Sequence, residues 1–181
     1  KHCNPGKLYV QLLCGWVGGE TDKPMSWISP SGFFVINEYN PRKPKPSQVR
    51  LFDKKFQLQF GYYTDEYDCD KALTAMPPNF VHSLDAAHMS LVMYTMITAG
   101  IEFFSMIHDS FGTLANSIPL LREITKEKFY EIHSTNQLDL IRQRAEDLVG
   151  YELPEHHPAR SHEQRGELRI EEVLNAEYLF G

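Results

Sequence analysis

His108-Asp109-Ser110 is the triplet in this 181-residue chain with the clearest chemical potential. It follows an apolar run, Ile101-Glu102-Phe103-Phe104-Ser105-Met106-Ile107, whose β-branched and aromatic content predicts a buried strand. Phe111-Gly112-Thr113-Leu114 predicts the start of a returning strand. Asp109 would then stand at or beside the tip of a tight apolar hairpin, a rigid carboxylate of the kind a catalytic metal ion needs. Asp also favours turns, because its side chain bonds nearby backbone, and on residue type alone the turn role is the stronger reading. A Ser–His–Asp hydrolase relay is excluded. Adjacent strand residues point to alternating faces, and the nucleophile-elbow pattern is absent.

A second polar cluster lies in Pro77-Pro78-Asn79-Phe80-Val81-His82-Ser83-Leu84-Asp85-Ala86-Ala87-His88-Met89. His82, Asp85 and Met89 fall at i, i+3 and i+7, roughly one helix face, with Ser83 on the opposite flank. Polar groups in the first turns of a helix suit contacts to nucleic-acid sugar or phosphate. Ordinary capping with an internal ion pair is the plainer reading of the same residues. A third feature is basic: Arg42, Lys43, Lys45, Arg50, Lys54 and Lys55 are opposed only by Asp53. A phosphate-contacting track and a solvated strand face account for it equally well.

Other tempting patterns fail on spacing. His82 and His88 are poorly placed for a helical metal pair, and His156, His157 and His162 belong to a polar loop. The acidic loop with Asp65, Glu66, Asp68 and Asp70 lacks a calcium-loop signature and reads as a solvated linker with helix-capping acids. Gly15-Trp16-Val17-Gly18-Gly19 has no following Lys-Ser/Thr, so it reads as a breaker loop rather than a phosphate loop.

Several elements must position these groups. Leu8 to Leu13 is compatible with helix or strand, interrupted by the glycines. Trp27 to Ile36 predicts a hairpin turning at Pro30-Ser31-Gly32. Asn37 to Ser47, with three prolines, predicts extended chain or loop, and Val49 to Tyr63 a strand or ribbon. A short helix capped by Asp70 or Thr74 should stop at Pro77-Pro78, with Asn79 capping the next. That next helix, Phe80 to Thr98, carries Val81, Leu84, Ala87, Leu91, Tyr94 and Met96 at helical spacing and ends at Gly100. Further helices are expected over Ile118–His133, with Pro119 in the first turn, over Leu138–Val149 and over Leu168–Leu174. Gly150 to Gly166 reads as a surface loop.

Composition bounds the setting. A hydrophobic content of 42% supports one sizeable core, and the net charge of −6 gives no global basic signature. Cys3, Cys14 and Cys69 are widely spaced, which points to reduced thiols in a cytosol-like compartment, without disulfides or a zinc site. No stretch has membrane-spanning length or signal-peptide character. Lys1 in place of Met suggests a fragment or processed piece.

Together, PPNFVHSLDAAHM and IHDSFGT closely resemble the single-subunit DNA-dependent RNA polymerases of phages and mitochondria. The resemblance is to their C-terminal part and runs from about Trp27, through WISPSGFFVINEY, to the ending Ala176-Glu177-Tyr178-Leu179-Phe180-Gly181. It implies an α+β fold, with helices packed on a small antiparallel sheet that carries a catalytic β-hairpin, part of a polymerase palm. Residues 1–181 would be one C-terminal palm and fingers-proximal fragment.

The resemblance also implies roles. Asp109 would match the metal-binding aspartate of the hairpin and ligate Mg2+ ions that align the RNA 3′-hydroxyl and an incoming ribonucleoside triphosphate. His108 would support that turn. His82, Ser83 and Asp85 would border the hybrid of DNA template and nascent RNA. Ser110 follows the RNA polymerase form, whereas related family A DNA polymerases usually carry His-Asp-Glu there. Two-metal phosphoryl transfer holds its ions about 3.5–4 Å apart, and one carboxylate cannot hold both. The family's other catalytic aspartate and its nucleotide-binding helix are not found in this sequence. The remaining N-terminal part of the polymerase, in cis or in trans, is thus an expected partner, and the chain alone is expected to be inactive. A cytoplasmic location is expected, or the mitochondrial matrix. Two alternatives stay open: a non-catalytic nucleic-acid-binding module that retains a palm remnant, and a piece of a family A DNA polymerase. A piece cut from a larger palm should also expose an apolar surface.

Overall fold

The computed structural model describes residues 5–52, 54–108, 110–162, 169–177 and 179. Cys3, Asp53, Asp109, Gly166, Leu168 and Tyr178 are among those outside it, as are Phe180 and Gly181. The order is α1 (Pro5–Thr21), β1 (Ser26–Ile28), β2 (Phe34–Ile36), β3 (Arg42–Leu51), β4 (Lys54–Tyr63), α2 (Cys69–Thr98), β5 (Phe104–Ile107), β6 (Ser110–Thr113), α3 (Ile118–Ser134), α4 (Gln137–Val149) and α5 (Glu172–Asn175). The fold is α+β. Its strands do not share one sheet: each consecutive pair forms its own two-stranded antiparallel hairpin.

The long helix α2 organises the rest. Asp68 caps it, accepting a hydrogen bond from the Lys71 amide at 3.0 Å, so neither Asp70 nor Thr74 has that role. Pro77 and Pro78 do not stop it; the helix runs 30 residues through both, with Asn79 in its interior. A proline strips the carbonyl four residues earlier of its donor. For Pro77 that carbonyl is Leu73, and Gln11 Nε2 of α1 donates to it at 3.2 Å. Asn79 Nδ2 ties the same region down, donating to Asn37 Oδ1 at 2.8 Å and to the Tyr39 hydroxyl at 2.9 Å. Asn37, fully buried, donates in turn to the Ala72 carbonyl at 2.9 Å. A neighbouring helix thus supplies the donor that Pro77 removes, and the Asn37–Asn79 bonds tie the same stretch to the rest of the fold.

The glycine cluster is helix, not loop. A Cβ on Gly15 would lie 3.2 Å from Leu73 Cδ2, and one on Gly18 would lie 3.6 Å from the Tyr67 ring. Gly15 lets α1 approach α2 closely, Gly18 packs in ordinary contact with Tyr67 just before α2, and this packing offsets their poor helix propensity. Tyr9, Val10, Leu13 and Val17 of α1 are buried, each contributing on the order of 1.5–3 kcal/mol.

Ala72, Met76, Phe80, Leu84, His88, Val92 and Met96 occupy every fourth position of α2. At 100° per residue such a row winds round the axis, so Phe80 and Met96 are about 160° apart. Each end therefore meets a different core. Ala72, Met76 and Phe80 pack with α1, Trp27, Ile141 and Ala145 of α4, and Leu153 and Ala159 beyond it. Val92 and Met96 pack with Leu121 and Ile124 of α3, and with Ile101, Phe104 and Phe111. The straight stripe expected from sequence misses this winding, and its members Val81 and Tyr94 are exposed.

Other expectations hold with adjusted limits. The 26–36 hairpin forms, pairing Ile28 with Phe34. α3 and α4 match their predicted ranges closely, and α5 is shorter than predicted, with Leu168 outside the described residues. The segment after Gly150 is not simply a surface loop. Leu153 and Ala159 are buried, and His157 lies 5.9 Å from Trp16, ring to ring. Among the described residues, no helix is long and apolar enough to cross a membrane.

Candidate functional site

β5 and β6 pair antiparallel, with Ile107 opposite Ser110 and Phe104 opposite Thr113. The hairpin read from sequence is present, but its first strand starts at Phe104 rather than Ile101 and is not buried. Phe103 is 66% exposed and Ile107 70%. Only two residues separate the strands, and the first, His108, is left-handed with φ +54°. Tight primed hairpin turns need this conformation, which costs a non-glycine residue free energy. His108 is exposed. Gly112 faces Ser105 so closely that a Cβ would lie 2.9 Å from Ser105 Oγ. Asp109 lies outside the described residues, so its side chain is not placed.

The inner face of the hairpin carries Phe104, Met106, Phe111 and Thr113 by strand alternation. Phe104 and Phe111 pack on the α2–α3 core. Phe111 also meets the ring of His88 edge-on, with centroids 5.7 Å apart. His88 is 4% exposed, and its Nε2 lies 2.9 Å from the Thr125 carbonyl of α3. Burial holds its pKa below the usual histidine value, against the raising effects of that hydrogen bond and of Asp85. His133 is lowered too, by burial and by nearby His88.

His82 and Asp85 sit upstream on α2, His82 exposed and Asp85 half-buried. His82 and His88 are six positions apart, a rise of about 9 Å and about 120° around the axis, so the exposed His82 and the buried His88 lie on different faces of α2. Neither His82 nor Asp85 takes part in the ion pairs found among the described residues, which join Lys43–Glu66, Lys128–Glu131 and Arg142 with Asp139 and Glu146. His82 also edges an open groove of about 600 Å³ lined by Val10, Pro77, Pro78 and Leu138. Ser83 has a structural duty. Its hydroxyl accepts from Trp27 Nε1 at 3.0 Å and donates to the Phe80 carbonyl at 2.7 Å.

The six cations lie on the β3–β4 ribbon, ten residues in each strand. Pro44 and Pro46 are inside β3, where extended chain or loop was expected. Two apart, they share one edge orientation, which a strand with a free edge accommodates. The unbroken register splits the charges between faces. Arg42, Arg50 and Lys55 share one face with Gln48, Gln57, Gln59 and Tyr63. Lys43, Lys45 and Lys54 share the other with Val49, Leu51, Phe56, Leu58, Phe60 and Tyr62. All six cations are exposed. Lys43 pairs with Glu66 at 3.4 Å, and the side chain of Arg42 lies across Gly61.

A strand–turn–strand hairpin with His-Asp-Ser at its turn, packed on a helix that carries Asn-Phe-Val-His-Ser, is the arrangement implied by the polymerase resemblance. A sequence model of the family "DNA-dependent RNA polymerase" matches residues 15–171. The chain belongs to the single-subunit, phage-type DNA-dependent RNA polymerases. It is 32% identical over 161 residues to DNA-directed RNA polymerase 1A of Nicotiana tabacum, covering 87% of this chain and 95% of that sequence. It is 31% identical over 171 residues to the mitochondrial DNA-directed RNA polymerase 1 of Nicotiana sylvestris, covering 92% of this chain. The same identity and coverage hold for the chloroplastic/mitochondrial polymerase 2 of Arabidopsis thaliana. The chain spans 16% of the length of each of these last two relatives.

Among the described residues, no group of three or more His, Cys, Asp or Glu side chains could hold a metal ion. The described donors therefore do not make a metal site on their own. Cys14 and Cys69 are free thiols, and burial pushes Cys14 up to about 11.

Sequence reasoning passed over His88, Asn37, Asn79 and Gln11 as functional supports. His88 carried a signal: it interrupts an otherwise apolar every-fourth row. Gln11 carried none, because its partner is a carbonyl exposed by a proline 66 positions away.

Proposed function

We propose that this chain is the C-terminal palm portion of a DNA-dependent RNA polymerase, transferring nucleotides from ribonucleoside triphosphates to an RNA 3′ end together with the remaining N-terminal part. The observation that carries the reading is the β5–β6 hairpin with left-handed His108 at its turn, seated on the helix that bears His82 and Asp85. Asp109 is the metal-binding carboxylate in this reading, and Mg2+ when bound supplies the charge that stabilises attacking and leaving oxygens. The chain offers one carboxylate to that site, and the other ligands come from outside it. His108 supports the turn. His82 and Asp85 line the path of the template–product hybrid, with Ser83 fixing the helix through Trp27.

The ribbon carries phosphate contacts through Arg42, Lys43, Lys45, Arg50, Lys54 and Lys55. Exposed cations on a two-stranded element suit this. The exposed apolar side chains, Phe103 and Ile107 on the hairpin and Phe56 to Tyr62 on the ribbon, fit a piece whose neighbouring elements lie elsewhere in the polymerase. The mitochondrial and chloroplastic names of the relatives favour an organelle, the mitochondrial matrix among the choices, over the cytoplasm as its setting.

Primer extension on a DNA template tests this with the complete polymerase and with the isolated chain. Ribonucleotide incorporation by the complete enzyme and none by the isolated chain is expected. Preference for deoxyribonucleotides would instead make it a DNA polymerase piece. Hybrid binding without any synthesis would favour the non-catalytic module.

A further inference from the structure

His88 is the polar member of the every-fourth row of α2, placed where that row passes from one core to the other. A buried polar group there is costly unless it is bonded, and an apolar residue would fill the space more cheaply. His88 is bonded. A carbonyl can only accept, so Nε2 carries the proton and donates to Thr125 of α3, which fixes the tautomer and the ring plane. Phe129 of α3 closes one side edge-on, at 5.7 Å and 89°. Phe111 of β6 meets the ring at 5.7 Å and 80°.

Phe111 matters because of its place in the hairpin. It is the second residue of β6, next to Ser110, and the core-packed side chain nearest to His108 on that strand. Phe104, the other core-packed residue, lies at the far end of the hairpin opposite Thr113. Ile107, beside the turn on the other strand, is 70% exposed and gives little anchorage among the described residues. The turn is thus braced from below through Phe111, and Phe111 leans on a ring whose direction is set by a hydrogen bond.

We infer that His88 is a positioning residue that fixes the height and tilt of the β5–β6 hairpin, using its bond to Thr125 to orient the ring on which Phe111 rests. The inference rests on the reading of that hairpin as catalytic. It gives His88 a part in nucleotide addition without contact to nucleic acid, nucleotide or metal.

Single-turnover nucleotide addition tests it in the complete polymerase carrying this segment. The variants are His88→Phe, which keeps a ring against Phe111 but loses the bond to Thr125, and His88→Gln, which keeps a donor but loses the ring. Misplacing reacting groups by an ångström costs about a hundredfold, so His88→Phe should slow the addition step roughly 10- to 100-fold, with burst amplitude and nucleotide affinity within about twofold of wild type. His88→Gln, which removes the ring that Phe111 rests on, should slow the step at least as much. A residue that only fills the core would lower the amplitude, through loss of folded enzyme, and leave the addition rate unchanged; that result overturns the inference. Asp109→Asn, run alongside, separates the two levels. If it retains synthesis, the catalytic reading fails and the inference with it. If it abolishes synthesis while His88→Phe adds nucleotide at the wild-type rate, the positioning role alone fails.

Discussion

The β3–β4 ribbon and the β5–β6 hairpin are both two-stranded, yet they solve opposite problems. The ribbon has ten residues per strand, paired without interruption from Arg42–Tyr63 to Leu51–Lys54. Both of its faces are largely open, and Phe56, Leu58 and Phe60 are each more than 40% exposed. The hairpin has four residues per strand, too short to persist alone, but Phe104 and Phe111 are set into a core with α2 and α3. Length without anchorage suits an element that adapts to a large surface. Anchorage without length suits one whose turn must stay in place.

Matched truncations would break this comparison most sharply. Phe111→Ala removes a partly buried ring packed on the α2–α3 core and should destabilise the chain by about 2–3 kcal/mol, below the range for a fully buried Phe. Phe56→Ala removes a ring of the same size from the open ribbon and should cost below about 0.5 kcal/mol. Denaturant unfolding of the two variants checks the pair, and equal losses would show that the ribbon is anchored like the hairpin.

A smaller effect separates the two faces of the ribbon. Neutralising Arg42, Arg50 and Lys55 together, or Lys43, Lys45 and Lys54 together, removes three cations in each case. If one face tracks the nucleic acid, its triple variant should reduce the salt dependence of hybrid binding by roughly 2–3 in log–log slope, and the other should leave it nearly unchanged. Equal reductions would mean that charge alone matters. The face with Arg42 is the expected one, because its remaining residues are mainly polar.

The smallest expected effect is on pH dependence, and it belongs to the hairpin side. Burial lowers His88, and burial with His88 nearby lowers His133. The unfolded chain therefore binds protons that the folded chain refuses. Stability from these groups is full above the ordinary histidine value of about 6.5 and is lost as pH falls through the lowered folded values. The unfolding midpoint should decline over that window, and less steeply in His88→Gln. An identical decline in the variant would assign the effect to other groups.

What was legible in the sequence divides along the same line. The hairpins around residues 30 and 108, helices α3 and α4, and the polymerase motifs are local patterns, readable from alternation, periodicity and turn residues. The errors came where a distant partner decided the outcome. Gly15 and Gly18 look like breakers until Leu73 and Tyr67 are known to pack on them. Pro77 and Pro78 look like a stop until Gln11, Asn37 and Tyr39 are seen to support the helix there. The face of α2 was misjudged because its apolar row turns from one core to another, which a straight stripe cannot represent. The bond from Trp27 to the Ser83 hydroxyl, 56 residues away in sequence, is likewise invisible to local pattern.

The central claim is that the anchored hairpin is the catalytic one. Its most direct test is RNA synthesis by the complete polymerase carrying Asp109→Asn, with unfolding of the variant measured in parallel. Synthesis should be abolished while the unfolding midpoint stays close to wild type. Appreciable synthesis by a folded Asp109→Asn enzyme would contradict it and return Asp109 to the role of a turn residue.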